Sequence, residues 1–133
     1  MLFVCVENSN RSQMAEALAR MLGGVEVEAH SAGSRPSGRV NPQAIASMAE
    51  IGYDLTTHRS KSVADLPPGP YDAVVTMGCG DACPALPARL RLDWPIPDPK
   101  GMPPEGVRRV REGIARRVKE LLEALRRSAP RES

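Results

Sequence analysis

Short β-rich runs alternate with segments of helical periodicity along this chain, and that alternation restricts the fold more than any other feature. "LFVCV" (2–6), "VEVEAH" (25–30), "YDAVVTM" (71–77) and "LRLDWPI" (90–96) read as strands. Between them, "SQMAEALARMLG" (12–23) repeats apolar side chains at Met14, Leu18, Met21 and Leu22, with Gly23 as a stop. "NPQAIASMAEIG" (41–52) opens with Asn41 as N-cap and Pro42 at the first helical position, and ends on Gly52. Residues 103–127 carry one apolar stripe of Val107, Val110, Ile114, Val118, Leu121 and Leu125 on a long helix. Strands joined through helices cannot close hairpins, so neighbouring strands run parallel. The expectation is one α/β domain over residues 1–133: a four-stranded parallel sheet with helices on both faces, wound as in flavodoxin. The site then lies at the carboxyl ends of the strands. Alternating polarity places 25–30 at an edge, and Pro95 does the same for 90–96.

The remaining composition narrows the functional classes. A chain of 133 residues fits one domain, and the loop at 65–70 is too short to divide it. A net charge of +2 does not call for nucleic acid or a membrane surface. No apolar run approaches the ~20 residues of a membrane span, and "MLFVCV" resembles no signal peptide. Three cysteines without framework spacing point to a reducing compartment. A cytoplasmic monomer with no nucleic-acid or membrane partner is expected.

The chemistry concentrates at residues 5–12, "CVENSNRS", between the first strand and the first helix. Backbone N–H groups of such a loop and of the helix N-terminus make an anion site. Val6, Glu7, Asn8, Ser9, Asn10, Arg11 and Ser12 are the expected oxyanion-binding residues, and the Arg11 fork matches a tetrahedral oxyanion. Cys5 sits at the base of the loop, where a helix N-terminus and a nearby arginine favour the nucleophilic thiolate, and Ser12 can donate to it. The plain alternative is a buried structural cysteine and a solvated arginine. Cys79 and Cys83, in "CGDAC", read as two metal ligands, two inert thiols or a redox pair. Zinc wants four ligands, so no metal is expected. The glycines flanking Cys79 suit a segment that moves to reach another sulfur. Asn8 and Ser9 read as residues that shape the loop, His30 as structural, and His58 as part of a solvated loop.

"CVENSNRS" resembles the Cys-x5-Arg-Ser anion loop of the low-molecular-weight protein tyrosine phosphatase superfamily. "SAGS" (31–34), "DP" (98–99), "RSQMAEAL" and "VVTMGCGDACPALP" (74–87) are similar to the arsenate reductases on that fold. The resemblance implies that arsenate binds the 5–12 loop against Arg11, that Cys5 attacks arsenic, and that Asp98 is the general acid for the departing oxygen. Asp93 and Asp81 are rival acids. A second thiol then attacks Cys5 and releases arsenite. That thiol comes either from the Cys79/Cys83 pair, as in thioredoxin-coupled members, or from a small-molecule thiol. No tightly bound cofactor is implied, only an external thiol reductant. Glu7 stands where phosphatases usually carry glycine, so its carboxylate is expected to face solvent. The alternative is a phosphatase acting on phosphotyrosine or a small phosphoester, in which water attacks a cysteinyl-phosphate. Such phosphatases usually place Tyr after the late Asp-Pro. Here that stretch is "DPKGMPPEG", and the chain holds only Tyr53 and Tyr71. A third reading is an anion-sensing domain with an inactive loop.

Overall fold

The computed structural model describes residues 1–24, 27–67, 69–78 and 86–128. Strand β1 (Leu2–Cys5) leads into α1 (Arg11–Gly23), followed by β2 (His30–Gly33) and α2 (Pro42–Ala49). Two 3₁₀ turns, Leu55–Thr57 and Val63–Asp65, precede β3 (Tyr71–Thr76), β4 (Ala88–Asp93) and α3 (Pro104–Ser128). The strands form one parallel sheet of order β2-β1-β3-β4. From β1 the chain steps outward to β2 and then crosses to β3 on the other side. The carboxyl ends of β1 and β3 therefore flank the point where strand order reverses, the usual ligand crevice of an open α/β sheet.

Period-two alternation splits the sheet between two apolar clusters. Phe3, Cys5, Ala73, Val75 and Met77 pack with Met14 and Leu18 of α1, Met48 of α2, and Val110, Ile114 and Val118 of α3. Leu2, Val4, Ala32 and Val74 form the second cluster, against which Val63 of the 3₁₀ turn and Leu66 pack. No helix among the described residues is long and apolar enough to cross a membrane.

Three local expectations are corrected. The strand expected at 25–30 is β2 at His30–Gly33, registered Leu2↔His30 to Cys5↔Gly33, because an edge strand extends only as far as the backbone of its neighbour. Val25 and Glu26 lie outside the described residues. The last strand runs 88–93 rather than 90–96. Pro95 has no N–H to continue the ladder, although Trp94 and Ile96 stay buried, with the Trp94 ring 5.9 Å from that of Phe3. Met21 and Leu22 are exposed, because the last turn of α1 carries them past the elements that bury Met14 and Leu18. By contrast, the Asn41 cap forms as read: its Oδ1 accepts the Gln43 N–H at 2.8 Å, with Pro42 at the first helical position.

Candidate active site

The loop after β1 is held open by its carbonyls. Cys5 O accepts Ser34 N–H, Val6 O accepts Arg35 N–H, Glu7 O accepts Ser37 N–H, and Ser9 O accepts Asn41 N–H at 2.7 Å. Asn8 O accepts the Gln13 side-chain amide, and Asn10 O accepts Met14 N–H. In a planar trans peptide the N–H points opposite to the C=O. With every carbonyl from Cys5 to Asn10 turned outward, the N–H groups that follow them turn to the concave side. The first turn of α1 adds N–H groups that have no intrahelical partner, and the Asn10 side chain makes no capping bond to them. Inward N–H groups at a helix N-terminus are the kind of geometry that accommodates an anion.

Packing enforces this shape. Asn8 is fully buried with φ +51°, a conformation that asparagine tolerates. Gly33 of "SAGS" lies against the loop so closely that a Cβ there would come within 2.5 Å of Val6 O. Glu7 is exposed and stands at the rim of the loop.

A chain of hydrogen bonds with a fixed amide orientation backs Cys5. Lys61 N–H donates to Asn8 Oδ1 at 2.9 Å, so the Asn8 amide presents Nδ2 to Ser12 Oγ, also at 2.9 Å. Ser12 Oγ uses one of its two acceptor sites there and lies 2.8 Å from Cys5 Sγ, to which its hydroxyl donates when the sulfur is a thiolate.

A buried polar network backs this chain. Gln13 Nε2 donates to Asn8 Oδ1 and to Arg59 O, and Gln13 Oε1 lies 2.9 Å from His58 Nδ1. His58 Nδ1 is also 3.1 Å from Glu16 Oε2, and its Nε2 is 2.6 Å from Tyr53 Oη. Both neighbours of Nδ1 are acceptors, so Nδ1 carries the proton and Nε2 accepts from Tyr53. Glu16 is buried and is further held by Ser31 Oγ at 2.8 Å, Arg20 and Lys61. Burial pushes His58 below its ordinary value near 6.5, while the Glu16 carboxylate opposes that shift. The solvated-loop reading of His58 is therefore wrong: the backbone at 58–60 lies near the surface, but the imidazole turns inward with a side-chain exposure of only 3%. His30 opens β2 with its Nε2 3.4 Å from Glu28.

Arg11, the first residue of α1, donates from Nη1 to Ile96 O at 2.9 Å. Its guanidinium lies over Gly78, where a Cβ would stand 2.6 Å from Nη1 and where φ is +75°. The end of β3 and the segment after β4 thus aim the arginine back across the loop. Asp98 sits in the turn beyond Ile96, with its Oδ1 accepting Lys100 N–H at 3.0 Å. A cradle of about 240 Å³ is lined by Cys5, Val6, Glu7, Ser9, Asn10, Arg11, Asp98 and Lys100. It gathers Cys5, Arg11 and Asp98 from opposite ends of the sequence. Asp93 accepts from Thr76 Oγ1 at 2.8 Å at the end of β4 and does not line it. Cys79, Cys83 and Asp81 lie outside the described residues. Among the described residues no three His, Cys, Asp or Glu side chains converge on a metal-sized site.

Gln13, Glu16, Tyr53, His58 and Lys61 were missed as parts of this site. Polar residues in a helix or loop ordinarily face water, and no local pattern separates these from solvated ones.

Known proteins share this architecture. Residues 1–131 match the family model described as low molecular weight phosphotyrosine protein phosphatase. The glutaredoxin arsenate reductase of Synechocystis sp. is 38% identical over 91% of this chain and 94% of that protein. A solved arsenate reductase in its phosphate-binding state superposes with a TM-score of 0.83 at 36% identity, covering 92% of this chain and 95% of that one. The thioredoxin-dependent arsenate reductase of Corynebacterium glutamicum gives 0.76 at 34% identity, covering 96% of this chain and 61% of the longer one. With a family match along nearly its whole length, the chain belongs to the low molecular weight phosphotyrosine protein phosphatase family.

Proposed function

We propose that this protein is an arsenate reductase that takes its electrons from an external thiol. The observation that carries the reading is the cradle itself. It sets Cys5, Arg11 and Asp98 around a space of about 240 Å³ with no aromatic side chain among its described lining residues. A small tetrahedral oxyanion needs donors and a nucleophile. A phosphotyrosine ring would need flat apolar walls as well. Tyr53 is spent on His58, and Tyr71 packs in the second apolar cluster. The relatives named arsenate reductase, one glutaredoxin-type and one thioredoxin-dependent, support the reaction and an external thiol donor.

In this reading the loop N–H groups and Arg11 bind arsenate, and the Cys5 thiolate attacks arsenic(V). An arsenic–oxygen bond breaks, and Asp98 supplies the proton with which the oxygen leaves as water. A second thiolate then attacks Cys5 Sγ. The sulfur–arsenic bond breaks with its electron pair passing to arsenic, so arsenic(V) becomes arsenite while two sulfurs become a disulfide. Cys79 supplies that thiol and passes the bridge to Cys83, from which the external reductant removes it.

The test is steady-state turnover with thioredoxin, or a glutaredoxin with glutathione, as donor beside hydrolysis of a small aryl phosphate. Arsenate-dependent consumption of reductant well above the hydrolysis rate is expected. Hydrolysis without arsenate-dependent thiol oxidation would reassign the protein as a phosphatase.

A further inference from the structure

Gln43 lies on the first turn of α2, outside the cradle, yet both ends of its amide are committed to the turn that carries Asp98. Its Nε2 donates to Met102 O at 2.7 Å, and its Oε1 accepts Gly101 N–H at 3.1 Å. Both partners are backbone groups of fixed polarity, so the orientation of the amide is forced. Two residues earlier on the same helix end, Asn41 N–H donates to Ser9 O of the anion loop at 2.7 Å. The two anchor points are locked to each other, because Gln43 N–H is the group that caps onto Asn41 Oδ1 at 2.8 Å.

The turn needs such an anchor. Pro97, Asp98, Lys100, Gly101 and Pro103 are exposed, and only the buried Pro99 ring and the Met102 side chain, non-directional apolar contacts, pack inward from this turn. Internally the turn is closed by Lys100 N–H to Asp98 Oδ1 and by Met102 N–H to Pro99 O. These bonds fix its shape but not its distance from Cys5. Arg11 holds the chain at Ile96, on the near side of Asp98. Gln43 holds it at Gly101 and Met102, on the far side.

We propose that Gln43 is a positioning residue for the acid, and that the N-terminus of α2 acts as a strut setting the reach from Asp98 to the oxyanion on Cys5. The inference rests on the reading of Asp98 as general acid. A carboxyl group must come within hydrogen-bond reach of the leaving oxygen to transfer its proton, and a displacement of about 1 Å costs on the order of 10²-fold in rate. Freeing the far side of the turn leaves the acid present but misplaced for part of the time.

The experiment is a double-mutant cycle on the single-turnover rate of arsenate-dependent Cys5 modification, using Gln43→Leu, Asp98→Asn and the pair. Gln43→Leu should slow the step roughly 10-fold and Asp98→Asn roughly 10²–10⁴-fold. The pair should be no slower than Asp98→Asn alone. Phosphate affinity, read from protection of Cys5 against alkylation, should stay at the wild-type value in Gln43→Leu. Gln43→Glu keeps the acceptor for Gly101 but sets a carboxylate oxygen against Met102 O, so its rate should fall at least as far as that of Gln43→Leu. Multiplicative losses, a wild-type rate in Gln43→Leu, or a fall in phosphate affinity that accounts for the rate loss would each overturn the strut. A wild-type rate in Asp98→Asn would overturn the acid reading and the strut with it.

Discussion

The Ser12 hydroxyl lies 2.8 Å from Cys5 Sγ, while the Asn8 amide donates to the same oxygen and leaves its hydrogen available to a thiolate. The orientation of that amide originates 53 residues away in sequence, at the backbone N–H of Lys61. A hydrogen bond to a charged group contributes about 1.5–3 kcal/mol, and the thiolate is the form that benefits. Ser12→Ala should therefore slow alkylation and arsenate-dependent modification of Cys5 by roughly 10–100-fold, with Asn8→Ala following in the same direction. Iodoacetamide kinetics at fixed pH measure it. Unchanged rates in Ser12→Ala would remove the donor role.

Gly78 is a steric gate on Arg11. A methyl group there would meet Nη1 at 2.6 Å in a backbone conformation, φ +75°, that L residues rarely adopt. Gly78→Ala should lower stability by about 1 kcal/mol. It should also weaken phosphate protection of Cys5 by roughly 10-fold, because the guanidinium must leave its bond to Ile96 O. Thermal unfolding and protection assays separate the two effects. Wild-type phosphate affinity in Gly78→Ala would show that Arg11 has room to yield.

His58 predicts how stability depends on pH. Burial holds its folded-state value below 6.5, against the pull of Glu16 and in the direction favoured by Arg20 and Lys61. Below pH 6.5 the unfolded chain binds a proton that the folded imidazole resists, so this contribution is fully present above that pH and is lost as pH falls through it. The midpoint of thermal unfolding should drop between pH 7.5 and 5.5, and His58→Gln should flatten that slope whatever its absolute stability. Equal slopes in the two proteins would place the titrating group elsewhere.

For Cys79 and Cys83, the proposed relay requires that Cys79→Ser and Cys83→Ser each abolish steady-state turnover with thioredoxin while leaving the first modification of Cys5 intact. Mass mapping after one turnover of Cys83→Ser should find a Cys5–Cys79 bridge. Wild-type turnover in both variants would assign the second thiol to a small molecule.

Arg111 and Glu50 show why part of this protein was not legible in advance. Helix α3 was evident from its apolar stripe, yet nothing in that stripe sets Arg111 apart from the other arginines of the helix. In the structure it is buried, donating to Ser47 O at 2.7 Å and to Glu50 at 2.8 Å. Together with Arg108 it holds the Glu50 carboxyl down to about 2. The same blindness covered Gln13, Glu16 and Gln43. A helix pattern reports which face is apolar. It does not report which polar side chains lie where a second helix or a loop will cross.

The sequence by itself determined the strand–helix alternation, hence the parallel sheet. It also determined the placing of Cys5 and Arg11 at the first crossover, because strand and helix periodicities and the Cys-x5-Arg spacing are local quantities carried by contiguous residues. Only the tertiary structure decided how the Asn8 amide behind Ser12 and Cys5 is oriented, that Asp98 rather than Asp93 reaches the cradle, and that His58 turns inward to Gln13 and Glu16. Those outcomes depend on backbone groups of Lys61, Ile96, Gly101 and Met102 arriving from distant turns of the chain. Hydrogen-bond partners separated by that much sequence leave no periodic trace. They are selected by the closure of the fold, which orients each donor against an acceptor that burial would otherwise leave unpaired.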